Sequence, residues 1–241
     1  MCRFSVIVPT YNVKDKVEKT IESVLKQKFQ DYEIIIMDGD SNDGTKEVVR
    51  QYSDTHIKMI SQKDDGIYDA MNKGVREAAG DYCIFLGAGD TLYDESVLEK
   101  VDAFVKAQEK HPDVVYGYVY NVLDGKEEKF CRKLDFWYTV KFDPVCHQAV
   151  FAARELFDEK AFDAGYVIAA DQDWMMCMKR KKKRVVFIDE PVARYLMDGV
   201  SSSDHGEAIY LREQKKIHKE YFPCKRFVIG IYRRLKGDPR G

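Results

Sequence analysis

Hydrophobic residues in the first 110 positions form short continuous runs separated by stretches of helical spacing. Four runs are typical of buried strands, namely FSVIV (4–8), YEIIIM (32–37), IKMI (57–60) and YCIFL (82–86). Between them apolar residues recur every three or four positions, which predicts helices over 13–25, 45–52, 67–79 and 97–105. Asn12 is predicted to cap the first helix, and Ile67 to lie on the buried face of the third with Met71, Val75 and Ala78.

The four strand runs do not alternate between apolar and polar residues. This indicates that both faces of the sheet are buried, as in a parallel sheet with helices above and below it. We therefore predict an α/β fold with a mostly parallel central sheet, in which residues 1–110 form a doubly wound unit.

The pattern changes in residues 111–205. Residues 113–131 alternate and contain Asp124-Gly125, a dipeptide typical of hairpin turns. The remaining segments predict strands over 146–152 and 185–189, a helix over 171–184 and a basic helical tail. Because no repeat or linker divides the chain, we expect a single domain over 1–205, with a mixed second half, followed by the tail over 206–241.

Composition narrows the class of protein. The chain has 241 residues, of which 45% are hydrophobic and 33% charged, as in a globular protein. A net charge of −2 gives no reason to expect nucleic-acid binding. The six cysteines form no CxxC pair, which argues against a zinc site and favours reduced thiols in the cytoplasm. We expect no signal peptide and no membrane span, because no apolar run approaches the length of either.

Polar residues follow each of the four predicted strands. PTYN follows the first, and Asp38, Asp64 and Asp90 lie at or just beyond the ends of the next three. In open parallel sheets, ligands bind outside the carboxyl ends of the strands, so Tyr11 and the three acids are expected to face one crevice.

Several acids in one crevice repel one another unless they face a cation or hydrogen-bond donors. A divalent metal takes oxygen ligands and also binds a diphosphate, and Tyr11 offers a ring for a planar base. The alternative is that Asp38 and Asp64 are ordinary turn residues. The segment GAGD (87–90) opens like a dinucleotide fingerprint, but Leu92 stands where the third glycine belongs, and the segment follows the fourth strand rather than the first.

An ordered set of motifs resembles the family 2 glycosyltransferases of the GT-A fold. The motifs are FSVIVPTYN, IIIMDGDSNDGT, DDGIYDAMNKGVREAAGDYCIFLGAGD, CHQAVFA and AADQDW, and they span residues 4–200. The set is most similar to bacterial members that build capsular, exopolysaccharide or lipopolysaccharide glycans. The resemblance implies a nucleotide-binding half over 1–110 and an acceptor-side half over 111–205.

The resemblance also implies roles for individual residues. Nucleoside binding falls to Pro9, Thr10, Tyr11, Asp38 and Asp64. Asp90 matches the last acid of the family's DxD-type motif and would bind Mn²⁺ or Mg²⁺. Asp171 matches the catalytic base, Asp173 is its rival, and His147 and Gln148 line the acceptor side.

Two motifs depart from the family pattern. GAGD keeps one carboxylate where the family often has DSDD, so metal binding is expected to need oxygens from the diphosphate. Ala170-Asp171 replaces the family's Glu-Asp pair. The resemblance implies a reaction in which a hydroxyl of a glycan or polyprenyl-linked acceptor attacks the anomeric carbon of a sugar nucleotide and inverts it. Asp171 would accept the proton of that hydroxyl. UDP is favoured over GDP or dTDP as the nucleotide.

The end of the sequence carries two further features. The small, polar segment GVSSSDHG (199–206) suggests a loop that closes over the donor. Within it His205 is a candidate metal ligand, with an exposed loop histidine as the alternative. The basic runs 179–184 and 223–237 suit contact with the inner face of the cytoplasmic membrane, or alternatively a solvated face docked on the core.

Two other functions compete with sugar transfer. A nucleotidyltransferase would carry a glycine-rich and basic loop after the first strand, where this chain has PTYN. A degenerate domain of the same fold could bind a nucleotide or a partner protein without catalysis. The GAGD motif, which has a single carboxylate, is compatible with this alternative.

Overall fold

The computed structural model describes residues 3–134, 145–199 and 204–222. The described strands are β1 (Phe4–Thr10), β2 (Tyr32–Asp38), β3 (Ile57–Ser61), β4 (Tyr82–Phe85), β5 (Thr91–Leu92), β6 (Val114–Leu123), β7 (Lys126–Phe130), β8 (Val150–Ala153) and β9 (Val185–Leu196). The described helices are α1 (Lys14–Leu25), α2 (Thr45–Arg50), α3 (Ile67–Glu77), α4 (Val97–Lys106), α5 (Leu156–Glu159), α6 (Ala170–Arg180) and α7 (Asp204–Tyr221), with a 3₁₀ turn at His147–Ala149.

The strands form one sheet in the order β3-β2-β1-β4-β8-β6-β9-β5, and β7 pairs with β6. Its first half is parallel, since β1 pairs in parallel with β2 and β4, and β2 with β3. The register aligns Thr10 with Asp38 and Asp38 with Ser61. The predicted parallel sheet is confirmed, and the carboxyl ends of β1, β2 and β3 lie side by side.

The second half of the sheet is mixed, as predicted. Strand β8 runs antiparallel to β4 and β6, whereas β9 is parallel to β6. The predicted hairpin joins β6 to β7, and its turn residues Asp124 and Gly125 have φ angles of 51° and 75°. Both angles lie in the left-handed region that this kind of tight turn requires.

Helices cover both faces of the sheet because consecutive strand residues point to opposite sides. On one face Ile35 packs in a cluster with Met71 of α3, Trp174 of α6 and Ile217 of α7. On the other face Ile34 packs with residues of α1 and α4. Each side chain buried in this way contributes about 1.5–3 kcal/mol, so these layers dominate stability.

The start of α1 differs from the prediction. Val13, not Asn12, occupies the N-cap position, and Asn12 has a φ angle of 51°. The Asn12 side chain accepts a hydrogen bond from the Asn42 amide, while Asp43 accepts one from the amide of Lys14. The predicted cap was wrong because a distant loop supplies the acceptor.

The predicted buried face of α3 needs one correction. Met71 and Val75 are buried, but Ile67 at the first position of the helix is 44% exposed. The buried stripe instead begins at Tyr68, whose ring packs against Phe162.

The helix predicted over 171–184 and the strand predicted over 146–152 both change at their ends. Helix α6 stops at Arg180, because Lys182 adopts a φ angle of 57°. Residues His147–Ala149 form a 3₁₀ turn before β8 begins at Val150. The turn matters because it carries two residues of the site.

Strand β9 is longer than the predicted 185–189 and continues through Pro191 to Leu196. A register shift in its pairing with β6 accommodates the proline. Gly117 of β6 faces this part of β9. A Cβ atom at residue 117 would come within 2.5 Å of the Glu190 carbonyl oxygen, so only glycine allows the two strands to approach this closely. The irregularity lets β9 reach the site.

Helix α7 packs on the same core as the sheet, since its Ile217 is fully buried. The boundary expected at 205/206 falls inside this helix, so the packed unit extends to the end of the described residues. Residues 223–241, which include most of the predicted basic tail, lie outside the description.

The basic run at 179–184 contacts the protein itself. Lys181 and Lys183 both form ion pairs with Glu159, and the Arg180 guanidinium lies 4.7 Å from the ring centre of Tyr221. These contacts favour the docked face over the membrane surface for this run. Among the helices that the structure describes, none is long and apolar enough to cross a membrane.

Candidate active site

Asp38 links the carboxyl ends of the parallel strands β1, β2 and β3, which border the crevice. Its carboxylate accepts hydrogen bonds from the Thr10 hydroxyl at 3.3 Å and from the Ser61 hydroxyl at 2.7 Å. The backbone amide of Ser41 donates a third bond at 3.0 Å. Asp38 is almost fully buried, so its first effect is to fix the backbone at the edge of the crevice.

Tyr11 and Asp64 flank the backbone of Gly39. A Cβ atom on Gly39 would lie 2.5 Å from Oδ2 of Asp64 and 3.3 Å from Cδ2 of Tyr11. Tyr11 is 63% exposed, while Pro9, two positions earlier, is buried in β1. An open aromatic face beside a half-buried carboxylate is a chemical match for a planar base and a ribose hydroxyl.

Asp90 follows the short loop after β4 and is buried. Its Oδ2 accepts hydrogen bonds from the Gly87 amide at 3.0 Å and from the Gln148 side-chain amide at 2.9 Å. Its Oδ1 accepts one from the Leu196 amide at 2.8 Å. Burial raises the pKa of Asp90, while the bonds from Leu196 and Gln148 oppose that change.

The surroundings of Asp90 limit how it could bind a metal. A carboxylate has about four acceptor positions, and protein donors fill three of them here. Within the described residues, no group of three His, Cys, Asp or Glu side chains could hold a metal ion. One position on Oδ1 remains, so Asp90 fits a cation as a single oxygen ligand if a diphosphate supplies others.

Asp171 lies in the first turn of α6 with its side chain 15% exposed. Its Oδ2 is 3.1 Å from Nδ1 of His147, and its Oδ1 accepts a hydrogen bond from the amide of Gln172. The Tyr68 hydroxyl lies 3.3 Å from Oδ1 and donates to the Ile168 carbonyl. Burial and the Asp171 charge raise the pKa of Tyr68 well above its usual value, so this hydroxyl stays protonated.

Asp173 occupies a different environment from Asp171. Its buried carboxylate accepts a hydrogen bond from the Tyr221 hydroxyl at 3.1 Å and lies 3.2 Å from Nζ of Lys160. Residues two positions apart point to opposite sides of a helix. Asp173 is therefore engaged in the packing of α7, on the side of α6 away from Asp171.

His147 and Gln148 are adjacent in sequence but bind different carboxylates. His147 contacts Asp171, whereas Gln148 is buried and donates to Asp90. Gln148, expected on the acceptor side, is thus placed beside the candidate metal ligand. The Cys146 thiol donates to the Gln148 side-chain oxygen at 2.8 Å and thereby orients the amide. Burial raises the pKa of this thiol, which keeps it a donor.

A small cavity of about 20 Å³ lies against His147 and Asp171. Phe85, Phe157 and Trp174 contribute to its apolar lining. Such a volume holds about one water-sized group. The apolar wall shields one side of the Asp171–His147 pair from bulk water.

His205 lies in a helix and not, as predicted, in a loop. It is exposed, in the first turn of α7, because the helix begins at Asp204. Residues 200–203 of the predicted donor loop are outside the described residues. Sequence reasoning missed Cys146, Tyr68 and Glu213. Tyr68 and Glu213 reach the segment before α6 only through long-range contacts, whereas Cys146 orients Gln148 from two positions away.

Comparison with protein families gives one match over most of the chain. The model of "Glycosyl transferase family 2" matches residues 5–187. A "PGL/p-HBAD biosynthesis glycosyltransferase" of Mycobacterium bovis is 33% identical over 175 residues, which are 71% of this chain and 67% of that protein. The "Amylovoran biosynthesis glycosyltransferase AmsB" of Erwinia amylovora is 26% identical over 86% of this chain and 74% of its own length.

Solved structures with a similar fold include enzymes bound to sugar nucleotides. TarS of S. aureus in complex with UDP-GlcNAc has a TM-score of 0.68 and 21% identity, over 86% of this chain and 61% of that structure. The mannosyltransferase PcManGT of Pyrobaculum calidifontis, in complex with GDP-Man and Mn²⁺, has a TM-score of 0.63 and 21% identity. That match covers 80% of this chain and 56% of the other. The chain thus spans less than two thirds of either structure.

Proposed function

The chain belongs to glycosyl transferase family 2 and has the GT-A fold, and from this premise we propose that it is an inverting transferase. It moves a hexosyl or N-acetylhexosaminyl group from a nucleotide-diphosphate sugar to a hydroxyl of a glycan or polyprenyl-linked acceptor. The reaction belongs to cell-surface polysaccharide biosynthesis, the kind of pathway that the name of the amylovoran relative also describes.

One observation carries the proposal. The consecutive residues His147 and Gln148 hold the carboxylates of Asp171 and Asp90, respectively. A transferase of this kind needs one carboxylate at the leaving diphosphate and another at the attacking hydroxyl. A single 3₁₀ turn fixes the spacing between these two groups.

The donor binds in the crevice at the ends of the parallel strands. Tyr11 stacks on the base, Asp64 contacts the ribose, and Pro9, Thr10 and Asp38 shape the backbone beneath them. We favour UDP as the nucleotide, in line with the UDP-GlcNAc complex of TarS. The GDP-Man complex of the mannosyltransferase keeps GDP as an alternative within the same fold.

A divalent metal, Mn²⁺ or Mg²⁺, is proposed as the cofactor, with Asp90 as its protein ligand. When bound, it would stabilise negative charge on the leaving diphosphate. The mannosyltransferase structure contains Mn²⁺, which supports this choice. His205, exposed at the start of α7, is a second proposed ligand for the donor-bound state.

Asp171 acts as the general base. An acceptor hydroxyl within hydrogen-bond reach of its carboxylate transfers a proton as the oxygen attacks the anomeric carbon. His147 fixes the orientation of the carboxylate, and the Gln172 amide holds its other oxygen. Attack opposite the leaving group inverts the anomeric centre without a covalent intermediate.

We also propose that the protein is cytoplasmic and acts near the inner face of the membrane, where lipid-linked acceptors are found. The basic tail, residues 223–237, is the segment that would approach anionic headgroups. A sedimentation assay with anionic liposomes tests this location, and no sedimentation of the full chain would refute it.

One observation favours a second function, a nucleotide- or partner-binding domain without catalysis. Three of the acceptor positions of Asp90 are already filled by protein donors. Hydrolysis or transfer of a sugar nucleotide by the purified protein would exclude this alternative.

A thermal-shift panel tests the transferase proposal directly. UDP-, GDP- and dTDP-sugars are each added with and without Mn²⁺, to wild type and to Asp90→Asn. A donor at 100 times its Kd stabilises the folded state by about 2.7 kcal/mol. We expect metal-dependent stabilisation by one nucleotide class, lost in the variant. No shift with any donor would contradict the proposal.

A further inference from the structure

Glu213 of α7 binds the backbone of residues 167–169, which lead into α6, the helix that carries Asp171. Its carboxylate accepts hydrogen bonds from three consecutive backbone amides, those of Val167 at 2.7 Å and of Ile168 and Ala169 at 3.0 Å. The residue is only 6% exposed. Burying a carboxylate is unfavourable unless hydrogen-bond donors compensate, and three amides do so here.

The three amides directly precede α6, which has no local cap. Ala169 occupies the N-cap position and makes no side-chain hydrogen bond. The first amides of a helix lack partners within it, and negative charge near this end is favourable. Glu213, 44 positions further along the chain, therefore binds the N-cap amide and the two amides before it, and places a negative charge at this end of the helix.

The bound segment lies between two anchors and ends beside the base. Glu213 holds its amides, and the Tyr68 hydroxyl donates to the carbonyl of Ile168 on the same segment. Asp171 follows two residues after Ala169. A shift of the segment would move the Asp171 carboxylate, and a misplacement of about 1 Å can cost about 100-fold in rate.

Other contacts of α7 dock the helix independently of the Glu213 carboxylate. Ile217, one turn after Glu213, is fully buried, and the Tyr221 hydroxyl bonds Asp173. Docking of the helix and binding of the segment are thus separable by substitution.

We propose that Glu213 is a positioning residue of the active site, which sets the place of Asp171 through the backbone of Val167–Ala169. The inference rests on the proposed function, in which Asp171 is the base. It makes α7, which lies beyond the matched family region of residues 5–187, part of the catalytic unit.

The test compares Glu213→Gln with the control Ile217→Ala in the full chain. Glutamine keeps the size of the side chain, but its NH₂ group replaces one carboxylate oxygen and faces a backbone N–H that it cannot accept. The alanine control removes buried packing from the same helix and leaves the carboxylate. Hydrogen exchange of residues 165–175 is measured by mass spectrometry, together with kcat, donor KM and Tm, at a temperature where both variants are folded.

We expect faster exchange of the 167–169 amides in Glu213→Gln, with kcat lowered about 10- to 100-fold and donor KM within about twofold. Ile217→Ala should lower Tm but keep the protection and kcat within about threefold of wild type. Equal losses of kcat in both variants, or wild-type kcat in Glu213→Gln, would overturn the inference. If the wild type transfers no sugar, the proposed function fails, and hydrogen exchange alone decides whether Glu213 holds the segment.

Discussion

The Nδ1 atom of His147 lies 3.1 Å from Oδ2 of Asp171, although the two residues are 24 positions apart in the chain. The imidazole comes from the 3₁₀ turn before β8 and the carboxylate from the first turn of α6. An imidazole that donates to a carboxylate fixes its rotamer and stabilises its charge. The pair therefore defines the reactive end of the proposed site.

Asp171→Asn should lower kcat by about 100- to 10,000-fold, because the amide cannot accept the proton of the attacking hydroxyl. Donor affinity should stay near the wild-type value, since Asp171 lies in α6 and the proposed nucleotide residues lie at the ends of strands β1, β2 and β3. Single-turnover transfer and calorimetric titration with the donor separate the two effects.

Asp173→Asn is the matched control for that experiment. It weakens contacts to Lys160 and Tyr221, and loss of such a buried bond costs about 1–3 kcal/mol of stability. We expect a lower Tm with kcat little changed. A fully active Asp171→Asn variant would show that Asp171 is not the base, and a loss of kcat in Asp173→Asn would then be needed to assign that role to Asp173.

His147→Gln should reduce kcat by about tenfold, a smaller effect than loss of the base itself. Glutamine can still donate to Asp171, but it does not reproduce the geometry of the imidazole ring. Donor KM serves as the internal control. A loss as deep as that of Asp171→Asn would instead indicate that the imidazole is the base and that Asp171 orients it.

Gln148→Glu places a second carboxylate where the Gln148 amide lies 2.9 Å from Oδ2 of Asp90. Replacing a donor with a like charge should lower the free energy of unfolding by about 1–3 kcal/mol at pH 7.5. Repulsion raises the pKa of the pair in the folded state, so the folded state binds a proton more tightly than the unfolded state. Stability relative to wild type should therefore recover as the pH falls from 7.5 to 5.

Urea unfolding at both pH values measures this recovery. Gln148→Met, which has no charge and a similar length, removes only the donor to Asp90, so its deficit should recover less over the same range than that of Gln148→Glu. A deficit of Gln148→Glu that does not depend on pH would contradict the contact between residues 148 and 90.

Gly39→Ala should impair nucleotide binding more than stability. The added Cβ would lie 2.5 Å from Oδ2 of Asp64 and 3.3 Å from the Tyr11 ring, so both side chains must move. We expect the donor Kd to rise about tenfold or more, equivalent to about 1.4 kcal/mol.

Gly165→Ala is a suitable control, because its Cβ meets only the exposed side chain of Asp163 at 3.0 Å. Calorimetric titration of both variants with UDP and Mn²⁺ provides the comparison. Equal affinity in Gly39→Ala and wild type would place the nucleoside elsewhere in the crevice.

Local sequence patterns determined the parallel half of the fold. A continuous apolar run such as residues 34–37 is buried whichever side of the strand is considered, so it predicts a central strand without knowledge of its neighbours. The hairpin turn at Asp124-Gly125 is equally local, because its left-handed backbone depends on those two residues alone. The candidate residues at the strand ends followed from the same reasoning.

Tertiary structure alone decided which polar groups meet. Asp43 rather than Asn12 accepts a hydrogen bond from the Lys14 amide, and Gln148 donates to Asp90. Glu213 binds the backbone that leads into a helix 44 positions away. Such partners depend on how the whole chain packs, and hydrophobic periodicity carries no record of them. The sequence thus determined the sheet and the residues at its edge, whereas packing decided which of those residues are held by the protein and which remain open to a ligand.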